Sequence, residues 1–175
     1  MLEDFPWTDD IDIALLQEVS GPHLDSICRY TKHVNIGTER QGTAILTKDG
    51  LILTEVRCLP SGRGVAAMYN RTCLVNIYAP SRAERKQERE GFYNVDVPYL
   101  LTVTQTDVIL AGDFNCVLSH SDATEQRNYN RALDNLVIGL GLYDIGGTTS
   151  TRPMFTRYTP TGASGLDRIY ISPKL

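Results

Sequence analysis

The sequence has no Cys-x-x-Cys pair, no low-complexity tract and no internal repeat, and neither a Gly-x-Gly-x-x-Gly nor a Walker sequence follows any of its strand-like runs. The missing glycine fingerprints exclude the usual dinucleotide and P-loop cofactor folds. Its four cysteines, Cys28, Cys58, Cys73 and Cys116, are 30, 15 and 43 residues apart in apolar surroundings, which predicts reduced, buried thiols rather than a disulfide framework. Long apolar runs are also missing. Asp12 to Leu16 and Leu136 to Leu142 fall far short of the roughly 20 residues a membrane-spanning helix needs. The first 25 residues carry seven acids and no Lys or Arg. That is the opposite of a basic leader, so the expectation is no secretory signal and an intracellular chain.

What is present describes an ordinary globular domain. With 175 residues, 42% hydrophobic and 22% charged, the chain can bury a sizeable core without disulfides or a structural metal, and one domain spanning 1–175 is expected. Residues 26–150 balance 13 basic against 13 acidic side chains, and residues 151–175 set four basic residues against Asp167, for a net charge of −4. A nonspecific polyanion binder is usually more basic, but cations gathered on one edge can still hold an anionic substrate.

Short apolar runs predict strands at Ile11 to Leu16, Thr43 to Thr47, Leu51 to Arg57, Val65 to Tyr69, Cys73 to Tyr78 and Asp107 to Ala111. Residues 43–69 read as a meander, and the 107–111 strand as a central one. Ser81-Arg82-Ala83-Glu84 fits a capping box after Pro80, predicting a helix from Arg82 to at least Tyr93, with Pro98 limiting a turn-rich second part. Arg82, Arg85, Lys86 and Arg89 resemble a phosphate-binding stripe, but their interleaved glutamates make a solvated face with i,i+4 pairs the better reading. A second helix is expected over Asn130 to Gly141, and a hairpin joining Phe155 to Tyr158 with Leu166 to Ile171. Mostly antiparallel strands with a few inserted helices predict a layered α/β sandwich.

Three of these strands end in residues that are costly to bury: Leu16-Gln17-Glu18, Asn76-Ile77-Tyr78 and Ala111-Gly112-Asp113-Phe114-Asn115. Such groups need hydrogen bonds, a cation or water, and strand ends on one rim can meet at one place. Singly, Glu18 reads as a loop glutamate, Asp113 as a turn former and Tyr78 as a core aromatic. Convergence is the sharper expectation.

Taken in order, Leu16-Gln17-Glu18-Val19, Asn76-Ile77-Tyr78-Ala79-Pro80, Gly112-Asp113-Phe114-Asn115 and Gly165-Leu166-Asp167-Arg168-Ile169-Tyr170-Ile171-Ser172 resemble the endonuclease/exonuclease/phosphatase superfamily. The resemblance covers essentially the whole chain. It implies a DNase I-like α/β fold, a two-sheet and mostly antiparallel β-sandwich flanked by helices, that hydrolyses phosphate esters with a divalent metal. Pro60-Ser61-Gly62-Arg63-Gly64, the Tyr-Ala-Pro-Ser continuation and Tyr158 to Ser164 look most like the endonuclease domain of LINE-type (non-LTR) retrotransposons. On that resemblance Glu18 would hold Mg²⁺, with Mn²⁺ an alternative, and Asp113 would orient or deprotonate the attacking water. Asn115 and Tyr78 would hydrogen-bond the scissile phosphate, Asp167 would act with a histidine partner, and Thr156 and Arg157 would contact phosphate. Arg152 and Arg168 are further candidates for phosphate contact. The 159–165 loop would probe the minor groove of DNA. The implied setting is nuclear, with a reverse transcriptase as companion in a longer polyprotein.

The resemblance also implies departures. A first core strand is expected before Met1 and a closing Ser-Asp-His segment after Leu175, so the sandwich reads as incomplete. The missing strand would leave sheet edges exposed, and Asp167 without its histidine would give weak or absent cleavage. His23, His33 and His120 are not convincing substitutes. Gly165 stands where the family commonly has Arg or Lys. The alternatives are an exonuclease III or apurinic-site repair type of nuclease, and a non-catalytic remnant that binds nucleic acid or protein.

Overall fold

A computed structural model of the chain describes residues 11–25, 27–37, 42–81, 85–101, 107–118, 122–124, 129–146 and 154–175. In chain order the elements are β1 (Ile13–Gln17), α1 (Gly21–Asp25), β2 (Tyr30–Ile36), β3 (Gly42–Lys48), β4 (Thr54–Cys58), β5 (Gly64–Tyr69) and β6 (Thr72–Tyr78). Next come α2 (Lys86–Gly91), a π-helical turn (Phe92–Asp96), α3 (Val97–Leu100), β7 (Asp107–Asp113), α4 (Arg131–Gly139) and β8 (Tyr143–Asp144). The last three are β9 (Arg157–Thr159), β10 (Gly162–Ser164) and β11 (Asp167–Ile171). A small sheet has the order β1-β3-β2 and a large one β4-β5-β6-β7-β11-β8, while β9 and β10 form a separate hairpin. Among the named strands of the described residues, every pairing is antiparallel except β6 with β7.

Burial explains the layers. In β3, Ile45 turns inward and packs with Leu53, Val65, Ala67 and Leu74 between the two sheets. Its neighbours Ala44 and Leu46 turn outward onto Val19, Leu24 and Ile27, the apolar side of the α1 region. The outer face of the large sheet buries Ile77, Leu110 and Tyr170 against Phe92, Tyr93 and Leu133 of the helical layer. With both faces covered, the central strands read as continuous apolar runs instead of alternating ones. The parallel β6–β7 pair needs a crossover, and the helical stretch 86–100 lies on it. No helix among the described residues is long and apolar enough to cross a membrane.

Several expectations need correction. The run 43–69 is not one meander, because β3 belongs to the small sheet and the meander is β4-β5-β6. Pro98 does not end the helix; it falls in the first turn of α3, where its missing N–H is dispensable, directly after the π turn. The predicted start of that helix at Arg82 lies outside the described residues. The expected pairing of 155–158 with 166–171 is replaced by a tighter β9–β10 hairpin, which frees β11 to pair with β7 and β8. Cys73 and Cys116 are buried free thiols, but Cys28 and Cys58 are exposed.

Candidate active site

The β6–β7 register places Tyr78 opposite Asp113, and the β7–β11 register places Asp167 opposite Asp113. Residues directly opposite on neighbouring strands share a face, so one phenol and two carboxylates stand side by side. That face looks toward the small sheet. Two residues back on β6, the buried Asn76 donates its amide to the carbonyls of Leu16 at 2.8 Å and Ala44 at 2.9 Å, and accepts from Gln17 Nε2. This clasp fixes the end of β1 over the end of β6. Glu18, the next residue, takes the hydrogen bond of the Tyr78 hydroxyl.

Two turns sharpen the rim. Glu18 and Asn115 both hold positive φ, 56° and 47°, in the left-handed region that costs a non-glycine residue on the order of 1 kcal/mol. Asn115 is held there by its N–H to Asp113 Oδ1 at 2.8 Å and its Nδ2 to the Ala79 carbonyl at 2.8 Å. Ala79 N–H in turn donates to the Asp113 carbonyl at 2.8 Å, which laces the ends of β6 and β7 together. Gly112 makes this possible. At φ 140°, any Cβ there would lie 1.9 Å from the Ile77 carbonyl oxygen.

The electrostatics follow from this crowding. Burial pushes the Asp113 carboxyl up to about 6, and Asp167 and Glu18 add to the rise, while the Asn115 N–H and the Arg157 guanidinium oppose it. Burial also pushes the Tyr78 phenol up to about 12, with the Glu18 hydrogen bond next in size. Thr156, exposed before β9, accepts through Oγ1 from the N–H groups of Leu166 at 3.0 Å and Asp167 at 3.1 Å. It fixes the start of β11 and keeps its own hydroxyl proton as a donor. Arg157 is exposed on β9.

Arg168 is not a phosphate contact. Lying between Asp167 and Ile169, it turns to the opposite face and is spent on Asp122 at 2.8 Å and on Asp144. The Asp122 carbonyl accepts from Gly165 N–H at 2.9 Å, so this ion cluster steadies the base of the hairpin. Gly165 leaves no room for a side chain, because a Cβ there would lie 2.5 Å from the Met154 carbonyl oxygen. Arg152, His120 and the His23 side chain lie outside the described residues, and His33 pairs with Ile45 in mid-β2. In the basic stripe, Arg85 pairs with Glu88 at 3.6 Å and Lys86 with Glu90 at 3.9 Å, as a solvated face should. Arg89 departs from it; it is buried and donates to the Pro80 carbonyl at 2.7 Å. Sequence reasoning missed the structural work of Asn76 and Arg89, although each sits inside a segment singled out for other reasons.

These residues suit a hard cation. Glu18 is exposed at the mouth, and carboxylate repulsion contributes to the raised Asp113, so the potential there is one that a divalent ion would relieve. Among the described residues no three His, Cys, Asp or Glu side chains group closely enough to encage a metal. Mg²⁺ does not require that, because it keeps several waters and takes one or two carboxylates plus substrate phosphate.

A helix-flanked sandwich of mostly antiparallel sheets is a DNase I-like fold. The model of the Endonuclease/Exonuclease/phosphatase family matches residues 2–175, and the chain belongs to that family. Its members are generally hydrolases of phosphodiester or phosphate esters. No curated protein matches the chain.

Proposed function

We propose that the chain is a divalent-metal-dependent DNA endonuclease of LINE-type retrotransposon origin, nicking one strand by in-line attack of water. The observation that supports this reading best is the registered row Tyr78, Asp113, Asp167, met by Glu18 from the other sheet. Asp113, made more basic than a free carboxylate, accepts the proton of the attacking water. Asn115 and Tyr78 donate to the phosphoryl oxygens and add no negative charge as the transition state forms. Tyr78 reaches the phosphate by turning its O–H away from Glu18. Thr156 and Arg157 hold flanking phosphate, and Asp167 supports the charge balance around Asp113. Glu18 would hold Mg²⁺ or Mn²⁺, which when bound supplies Lewis-acid stabilisation of the phosphoryl oxygens. The β9–β10 hairpin, with Pro160 and Thr161 at its turn, is narrow enough to enter a minor groove and read its width.

Nicking of supercoiled plasmid with Mg²⁺ tests the assignment. Asp113→Ala is expected to lower the rate by about 10²-fold or more. Equal nicking by the two proteins would remove Asp113 from the chemistry. Much faster incision of a duplex carrying one abasic site than of intact duplex would replace the retrotransposon reading with a repair-type one.

A further inference from the structure

The 60–64 loop, distinctive in the sequence, has no part in the site as described so far. It is nonetheless built with care. Gly62 turns with φ 78°, its carbonyl takes the hydroxyl of fully buried Thr43 at 3.1 Å, and its N–H donates to Leu59 at 3.0 Å. Asn35 Nδ2 bridges the Leu59 and Gly64 carbonyls at 2.8 and 2.9 Å. Gly37 passes so close that a Cβ would lie 2.0 Å from the Ser61 carbonyl oxygen. A loop pinned from the other sheet by two side chains carries Arg63 to one place.

That place is Tyr78. The Arg63 guanidinium carbon lies 5.4 Å from the centroid of the Tyr78 ring, and Nη1 donates to the Tyr78 carbonyl at 3.3 Å. The Arg63 carbonyl accepts the Tyr78 N–H at 2.8 Å, and the residue is 4% exposed, too enclosed to meet substrate. A guanidinium over an aromatic face is attracted to it, more strongly when desolvated, and it keeps its charge at any working pH. Drawing electron density toward the ring face makes the phenol a stronger donor, while the backbone bonds fix the main chain from which the ring projects and the guanidinium covers one ring face. The groups facing the ring and hydroxyl are Arg63, Glu18 and Asp113. Arg63 is the cation among them.

We infer that Arg63 is a positioning residue for Tyr78, holding the ring at the rim and strengthening its hydroxyl as a donor to an anionic phosphoryl oxygen. This rests on the reading that Tyr78 serves the scissile phosphate. A double-mutant cycle tests it. Arg63→Gln, which keeps a donor for the Tyr78 carbonyl but removes the charge, is expected to lower kcat for nicking about fivefold to tenfold, with KM within about twofold. In a Tyr78→Phe background the same change should cost less than about twofold. Arg63→Lys, which keeps the charge, should retain most of the rate, and the cycle repeated with Arg63→Met, which also removes the charge, guards against a glutamine variant that does not fold. An equal loss in both backgrounds overturns the inference. With all tyrosines ring-fluorinated, the ¹⁹F resonance that disappears in Tyr78→Phe should move at neutral pH in Arg63→Gln and stay near its place in Arg63→Lys. An unmoved resonance overturns the inference as well. A chain that never nicks DNA overturns the functional reading instead, and the fluorine shift still decides the role of Arg63.

Discussion

Asp113 is held where it serves the site at the expense of the fold. A carboxyl raised to about 6 from the ordinary 3.8 binds its proton more tightly in the folded chain than in the unfolded one. Between those values the native state carries the extra proton, so stability falls as pH climbs from about 4 to about 6 and stays lower above that. The penalty at neutral pH is roughly 1–3 kcal/mol. Asp113→Asn keeps an oxygen for the Asn115 N–H and removes the charge. In chelator, the variant should melt several degrees higher than wild type at pH 7.5, and the wild-type decline between pH 4 and 6 should be largely gone. Equal melting temperatures across that range would mean that Asp113 ionises as freely as in the unfolded chain. Residues of this kind were legible in the sequence because a carboxylate at the end of an apolar run is conspicuous. Arg63 was not, since its ring partner lies 15 residues further on and only the β5–β6 register brings them together. Arg89 was disguised by the run of glutamates around it, two of which pair with Arg85 and Lys86.

At the scale of elements, strands and helices do unequal work in presenting the site. The long apolar strands β3, β5, β6 and β7 were readable because burial on both faces demands apolar residues throughout. β2 was not, because Tyr30-Thr31-Lys32-His33-Val34-Asn35-Ile36 mixes polar and β-branched residues and its burial is only partial. β11 showed its strand character, but its partner was misassigned, since the nearer segment in sequence is closed off by its own hairpin. The polar join near the site was hidden, because it centres on an amide, Asn76, in a strand packed mostly with apolar residues. Asn76→Ala would leave the buried carbonyls of Leu16 and Ala44 without that donor and Gln17 Nε2 without that acceptor. The expected cost is roughly 2–4 kcal/mol, read as a lower urea midpoint at unchanged slope. A loss under about 0.5 kcal/mol would mean that the apolar core and the Thr43 and Asn35 bonds align the sheets without it.

For the whole molecule, the proposed DNA substrate poses the problem of bringing an acidic chain onto a polyanion. The net charge is −4, and three carboxylates gather at the candidate site, so long-range fields do not draw DNA in. Binding then depends on a few local cations beside the rim, among them the exposed Arg157, which acts on Asp113. Each phosphate neutralised on duplex DNA contributes a slope of about −0.9 to the logarithm of affinity against the logarithm of salt. A footprint confined to the rim and hairpin predicts a shallow dependence, with a slope of about −2 to −3 for a short duplex followed by fluorescence anisotropy. Arg157→Gln should reduce that slope by about one, weakening binding to unrelated sequences alike, because a phosphate contact carries no base information. A steep slope near −6 would instead require a broad basic face, and an unchanged slope in the variant would place Arg157 off the phosphate track. Shallow salt dependence would also shift the burden of target choice from charge to shape, since a hairpin that reads groove width can discriminate between sequences without strong electrostatic binding.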